Sequence, residues 1–119
     1  MTTLLTGSSG FIGKQLAPAL QQRGATVRGL DRAAEAPDAL DECVQGDLCD
    51  PTVARRAVSG VDRILHLAAA RGDWGLSEAE YYRDNLDATR TLIEAGREEG
   101  VTDWVFYSTV SVMGPSHDP

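Results

Sequence analysis

The stretch TGSSGFIG at residues 6–13 decides how the rest of the chain reads, because it sets Gly7, Gly10 and Gly13 between two segments of different periodicity. Before it, residues 3–6 form a short run of strand character. After it, Phe11, Ile12, Leu16 and Leu20 recur on one face of a helix that Gly24 stops. A strand that turns through glycines straight into a helix gives each glycine a task. Gly7 permits the tight turn, Gly10 leaves no Cβ between the backbone and a pyrophosphate, and Gly13 lets helix and strand pack closely. The unpaired N–H groups and partial positive charge of the helix N-terminus serve the phosphates. Pro18 falls inside this helix, where a proline costs about 3 kcal/mol, so a kink or firm packing onto a sheet is expected there.

Outward from this turn, residues 25–31 read as a second strand that closes on Asp31, 24 residues after Gly7. A carboxylate at that place accepts hydrogen bonds from both hydroxyls of an adenosine ribose. Alone, the glycines fit a turn with no ligand and Asp31 a solvated strand end; together they point to dinucleotide binding. A 2'-phosphate would meet Asp31 charge against charge, which favours NAD over NADP. Arg32, beside it, is the one group able to swing toward such a phosphate.

The remaining pattern repeats the strand, helix, strand alternation of a parallel sheet. Residues 32–41 are polar and alanine-rich and read as a loop or short irregular helix. Residues 42–45 form a weak third strand. Asp50 before Pro51 marks a helix start, the aspartate as N-cap and the proline where its missing N–H is not needed; this helix ends near Gly60. Residues 63–68, apolar after Arg63 except for His66, read as a buried strand. Ser77 and Glu80 form a capping box for the longest helix, which runs to Gly100, and residues 104–109 supply a fifth strand. The prediction is one doubly wound α/β domain of Rossmann type over residues 1–119, with parallel strands in the order 3-2-1-4-5 and the cofactor at the carboxyl ends of strands 1 and 4.

Composition narrows the function classes. The chain has 119 residues, 42% hydrophobic and 24% charged, enough for one core and too short for two full domains. Eighteen acidic against eleven basic residues leave a net charge of -7, which argues against nucleic acid or an anionic membrane as partner. No apolar run approaches the roughly 20 residues of a membrane span, and no secretory signal is visible, so the cytoplasm is the expected compartment. Cys43 and Cys49 lack neighbours at metal-ligand spacing and read as ordinary thiols.

Five motifs in order then carry a resemblance: TGSSGFIG, GDLCD at residues 46–50, HLAA at 66–69, YYRDN at 81–85 and FYSTVSVMG at 106–114. The chain resembles the N-terminal, cofactor-binding part of the extended short-chain dehydrogenases/reductases, the NAD-dependent epimerase/dehydratase family. The resemblance implies that Asp47 and Leu48 line the adenine, with Asp47 accepting from its exocyclic amine, although Asp47 also fits a plain turn residue. It implies that Leu67, Ala68 and Ala69 lie against the middle of the cofactor and that Arg71 assists a phosphate. Asn85 matches a residue that supports the active site near the nicotinamide, the alternative being an exposed helix residue. Thr109 matches the catalytic Ser or Thr whose hydroxyl bonds the substrate oxygen, or else is a strand-end hydroxyl bonded to backbone. Sugar-nucleotide dehydratases follow this residue with an acidic pair, whereas here Val110 and Ser111 stand, which disfavours dehydration. Met113 replaces the family's tyrosine.

The family's proton transfer needs a tyrosine and a lysine four residues apart, the lysine lowering the phenol pKa. Lys14 is the only lysine, so no such pair exists within these residues. The expected function is therefore the NAD-binding part of an epimerase or oxidoreductase acting on a nucleotide sugar or a related alcohol or ketone, catalytically incomplete by itself. The alternative is a naturally short, non-catalytic NAD-binding sensor or interaction module. The resemblance further implies a homodimer through the helix at residues 77–99.

Overall fold

A computed structural model describes residues 1–8, 11–31, 40–67 and 86–106, Phe11 by its backbone alone. Five strands, β1 (Thr2–Thr6), β2 (Thr26–Asp31), β3 (Glu42–Gln45), β4 (Arg63–His66) and β5 (Asp103–Phe106), alternate with helices α1 (Phe11–Gln22), α2 (Pro51–Val58) and α3 (Ala88–Glu99). All neighbouring pairs run parallel, and the sheet order is β3-β2-β1-β4-β5, the order expected from sequence. Successive side chains of a strand point to opposite faces, and both faces of this sheet are covered. Leu4, Leu30 and Ile64 join the larger core cluster with Ala54, Ala57 and Val58 of α2 and Ala88, Leu92 and Ala95 of α3. Leu5, Val27 and Leu65 face the other way, with Ala17 of α1 and partly buried Leu16 and Leu20.

Local chemistry explains the element ends. Asp50 adopts extended backbone and its Oδ1 accepts from the Thr52 N–H at 2.9 Å, so the expected N-cap of α2 is in place with Pro51 following. At the other end Arg28 of β2 donates to the carbonyls of Ala57 (2.7 Å) and Ser59 (2.6 Å) and pairs with Glu42. One guanidinium thus satisfies the last carbonyls of α2 and ties them to β2 and β3. Gly100 ends α3 in the left-handed region at φ 86° and donates to the Arg97 carbonyl.

Two expectations shift. Strand β4 ends at His66 instead of residue 68, and beyond it the Leu67 N–H is shared between the Thr6 carbonyl (3.3 Å) and Thr6 Oγ1 (3.0 Å). Ile12 is 41% exposed and lies off the packing face of α1, which is formed by Gly13, Leu16, Ala17 and Leu20. The small residues Gly13 and Ala17 let the helix axis approach the sheet, and that approach turns Ile12 outward. Pro18 sits inside α1, half-buried, and the helix continues through it to Gln22. The capping box at Ser77 and Glu80, the irregular segment at 32–39 and the end of the fifth strand at 107–109 lie outside the described residues.

Candidate functional site

The carboxyl edge of the sheet gathers the residues singled out by the glycine motif. β1 lies between β2 and β4, and the chain runs from β1 toward β2 on one side and from β4 toward β5 on the other, which makes their carboxyl ends the switch point where a doubly wound sheet binds its ligand. Gly7 leaves β1 with φ 70°, a conformation that costs glycine little and other residues more. Its N–H donates to the Leu30 carbonyl at 2.9 Å, which fastens the turn beside Asp31, the last residue of β2. The Asp31 carbonyl in turn accepts from the Gly46 N–H at 3.1 Å, which brings the GDLCD turn alongside. Gly7, Asp31 and Asp47 therefore come from three separate segments and stand at one edge.

The turn also fits a backbone-bound anion. A Cβ on Gly13 would lie 2.6 Å from the Gly7 carbonyl oxygen and 2.8 Å from that of Ser8, so only glycine lets the first turn of α1 seat this closely on the loop. No acidic residue occupies that first turn, and exposed Lys14 stands in it. Positive potential at the helix end is thus unopposed by the helix itself. Ser8 is wholly buried; its Oγ lies against the Gly29 side of β2 and has no hydrogen-bond partner among the described residues.

Asp47 accepts the Cys49 N–H on Oδ1 at 2.9 Å, and its carbonyl accepts from Asp50 at 2.9 Å, so it shapes the turn before α2. Leu48 is buried within the larger core cluster. Leu67, expected within the fourth strand, is half-buried just beyond the end of β4, beside β1. Gly10, the Phe11 side chain, Arg32, Ala68, Ala69, Arg71, Asn85 and Thr109 lie outside the described residues. Cys43 is a free thiol, and burial, followed by the Asp31 charge, raises its pKa. A raised pKa keeps that sulfur protonated and unreactive near neutrality.

One cluster here is absent from the list of residues drawn from sequence. Thr6, the last residue of β1, places Oγ1 2.7 Å from Nδ1 of His66, while His66 Nε2 lies 2.9 Å from Thr89 Oγ1 on α3. Thr6 Oγ1 also accepts the Leu67 N–H at 3.0 Å. Phe106 of β5 packs edge-on against the imidazole with ring centroids 5.7 Å apart. Burial lowers the His66 pKa to about 4, so the ring is neutral at physiological pH. The sequence signal was a histidine interrupting an apolar strand; its partners, 60 residues back and 23 ahead, are brought to it only by parallel pairing and helix packing.

Among the described residues no group of side chains could hold a metal ion, and no helix is long and apolar enough to cross a membrane. The model of the NAD dependent epimerase/dehydratase family matches residues 3–119. A 3 beta-hydroxysteroid dehydrogenase/Delta 5-->4-isomerase of Mycobacterium tuberculosis is 38% identical over 118 residues, which cover 92% of this chain and 32% of that protein. A short-chain dehydrogenase/reductase superfamily protein from Agrobacterium tumefaciens, solved with bound NAD, superimposes with a TM-score of 0.87 at 32% identity, covering 96% of this chain and 34% of that one. UDP-glucose 4-epimerase from Bifidobacterium longum, solved with NAD+ and UDP, gives a TM-score of 0.84 at 27% identity, over 96% of this chain and 38% of that one. The chain thus spans about a third of the length of the proteins it matches.

Proposed function

Because the chain belongs to the NAD-dependent epimerase/dehydratase family, we propose that residues 1–119 form the NAD-binding domain of an epimerase or oxidoreductase whose substrate is a nucleotide sugar or a related alcohol or ketone. The observation that carries this reading is the junction of the glycine turn with Asp31 through the bond from Gly7 N–H to the Leu30 carbonyl. The turn and the first turn of α1 hold the pyrophosphate on backbone N–H groups, and the Asp31 carboxylate accepts from the adenosine ribose hydroxyls. Its charge selects NAD over NADP. Asp47 and Leu48 bound the adenine; Gly10, Phe11, Ile12 and Gly13 complete the cradle, and Leu67, Ala68 and Ala69 line the middle of the cofactor. Arg32 and Arg71 lie near phosphate, and Asn85 supports the nicotinamide end. NAD supplies the hydride acceptor when bound, and Thr109 bonds the substrate oxygen.

The nucleotide-sugar substrate draws support from the epimerase neighbour solved with UDP, and the alcohol or ketone alternative from the hydroxysteroid dehydrogenase relative. No tyrosine stands four residues before a lysine in these residues, since Lys14 is the only lysine. Turnover therefore needs groups beyond those in this chain, and the same edge would equally serve a binding module without catalysis. A cytoplasmic site of action and a homodimer through residues 77–99 complete the proposal.

Calorimetric titration with NAD and NADP tests it. NAD is expected to bind more tightly than NADP, and Asp31→Ala to weaken NAD by about tenfold or more while removing the preference, as loss of a charged hydrogen-bond partner worth roughly 1.5–3 kcal/mol requires. Absence of heat with both nucleotides, from a chain that is folded by circular dichroism, would overturn the reading.

A further inference from the structure

The cluster around His66 links three segments by side-chain hydrogen bonds. Thr6 immediately precedes Gly7, the residue that opens the glycine turn. Leu67 follows β4 and faces the same edge. Thr89 lies in the first turn of α3, on the far side of the imidazole. Thr6 Oγ1 stands 2.7 Å from Nδ1 and Thr89 Oγ1 2.9 Å from Nε2, both within hydrogen-bond reach. A neutral imidazole has one donor and one acceptor nitrogen, so one of the two hydroxyls donates to the ring and the other accepts from it. The chain of bonds links Leu67 N–H to Thr6 Oγ1, Thr6 Oγ1 to Nδ1, and Nε2 to Thr89 Oγ1.

We infer that His66 is a positioning residue of the cofactor edge: held as a single neutral tautomer between Thr6 and Thr89, it locks the end of β1, the segment leaving β4 and the start of α3 into one unit and so sets the geometry of the glycine turn for its ligand. His66 is 6% exposed and packs under Phe106, which makes it an internal strut with no direct access to substrate. A charged ring would present donors at both nitrogens, where the neutral ring gives one bond and accepts the other, so the strut works only while neutral. The inference rests on the NAD-binding reading.

The test uses the 119-residue chain with Thr89→Val, which keeps the β-branched shape and removes the hydroxyl, and Thr89→Ser, which restores it. Long-range proton–nitrogen NMR reads the tautomer of His66, with His117→Gln removing the other histidine's signals. NAD titration reads the consequence. The expected result is a single tautomer in the parent chain, a mixture in Thr89→Val, NAD binding weakened roughly threefold to tenfold in Thr89→Val, and recovery of both readings in Thr89→Ser. A mixture of tautomers in the parent, or unchanged NAD affinity in Thr89→Val, overturns the inference and leaves the cofactor reading standing. No NAD binding by the parent chain overturns both. Simple destabilisation would lower the melting temperature without moving the tautomer ratio, and that outcome also counts against the strut.

Discussion

His66 concentrates at one residue the tension between burial and polarity. Its folded pKa of about 4 lies below the 6.5 of an exposed imidazole, so between those values the unfolded chain takes up a proton that the folded one refuses. Stability is therefore full above pH 6.5, falls as pH drops toward 4, and loses on the order of 3 kcal/mol over that window. Urea unfolding at pH 7 and pH 4.5 checks this, alongside an NMR titration of the ring. A stability curve flat to pH 4.5 would contradict it. The lowered pKa of Asp41, caused first by the Val27 N–H and then by Gln21, acts in a separate range, with stability lost as pH falls below 3.8. Asp47 shows how far a single residue could be read from sequence: both the turn role and the adenine role were open, and its bond to the Cys49 N–H establishes the first without excluding the second.

Among the elements, α3 depends most on shape. Gly96 faces Trp104 of β5 so closely that a Cβ would overlap the indole ring, and Ile64 Cδ1 would lie 3.2 Å away. Gly96→Ala forces helix and strand apart, and the expected cost is about 1–3 kcal/mol despite alanine's better helix propensity; chemical denaturation against the parent chain measures it. A gain in stability would mean that α3 can slide. The same helix buries Ala88, Leu92, Ala95 and Gly96 and leaves Arg90, Glu94, Arg97 and Glu98 exposed. Its described apolar face is thus spent on its own sheet, and association through α3 would have to proceed through charged side chains.

At the scale of the whole molecule, two of the exposed apolar side chains among the described residues are neighbours on β5. This strand is an edge of the sheet, with Val105 40% and Phe106 48% exposed, on a chain about a third as long as the proteins it matches. An uncovered strand edge with apolar side chains recruits other chains. Besides the proposed dimer through residues 77–99, sedimentation of the 119-residue chain is expected to show further association that rises with concentration and survives added salt, and Val105→Lys is expected to remove this further association and leave the dimer. Association abolished by salt and untouched by Val105→Lys would contradict the β5 contact.

The sequence by itself determined the helix starts and stops at Asp50 and Gly100, because those depend on capping chemistry and the φ that glycine adopts readily; the sheet order and the meeting of Gly7 with Asp31 were legible only through the recognisable strand, glycine turn, helix, strand pattern of a doubly wound sheet. The departure of Leu67 from β4, the outward turn of Ile12 and the use of Arg28 to close α2 were decided by tertiary structure. So was the His66 strut, whose partners Thr6 and Thr89 carry no mark in sequence of what they bond. Long-range hydrogen bonds depend on which side chains two packed elements bring within about 3 Å of each other, and no one-dimensional period encodes that distance.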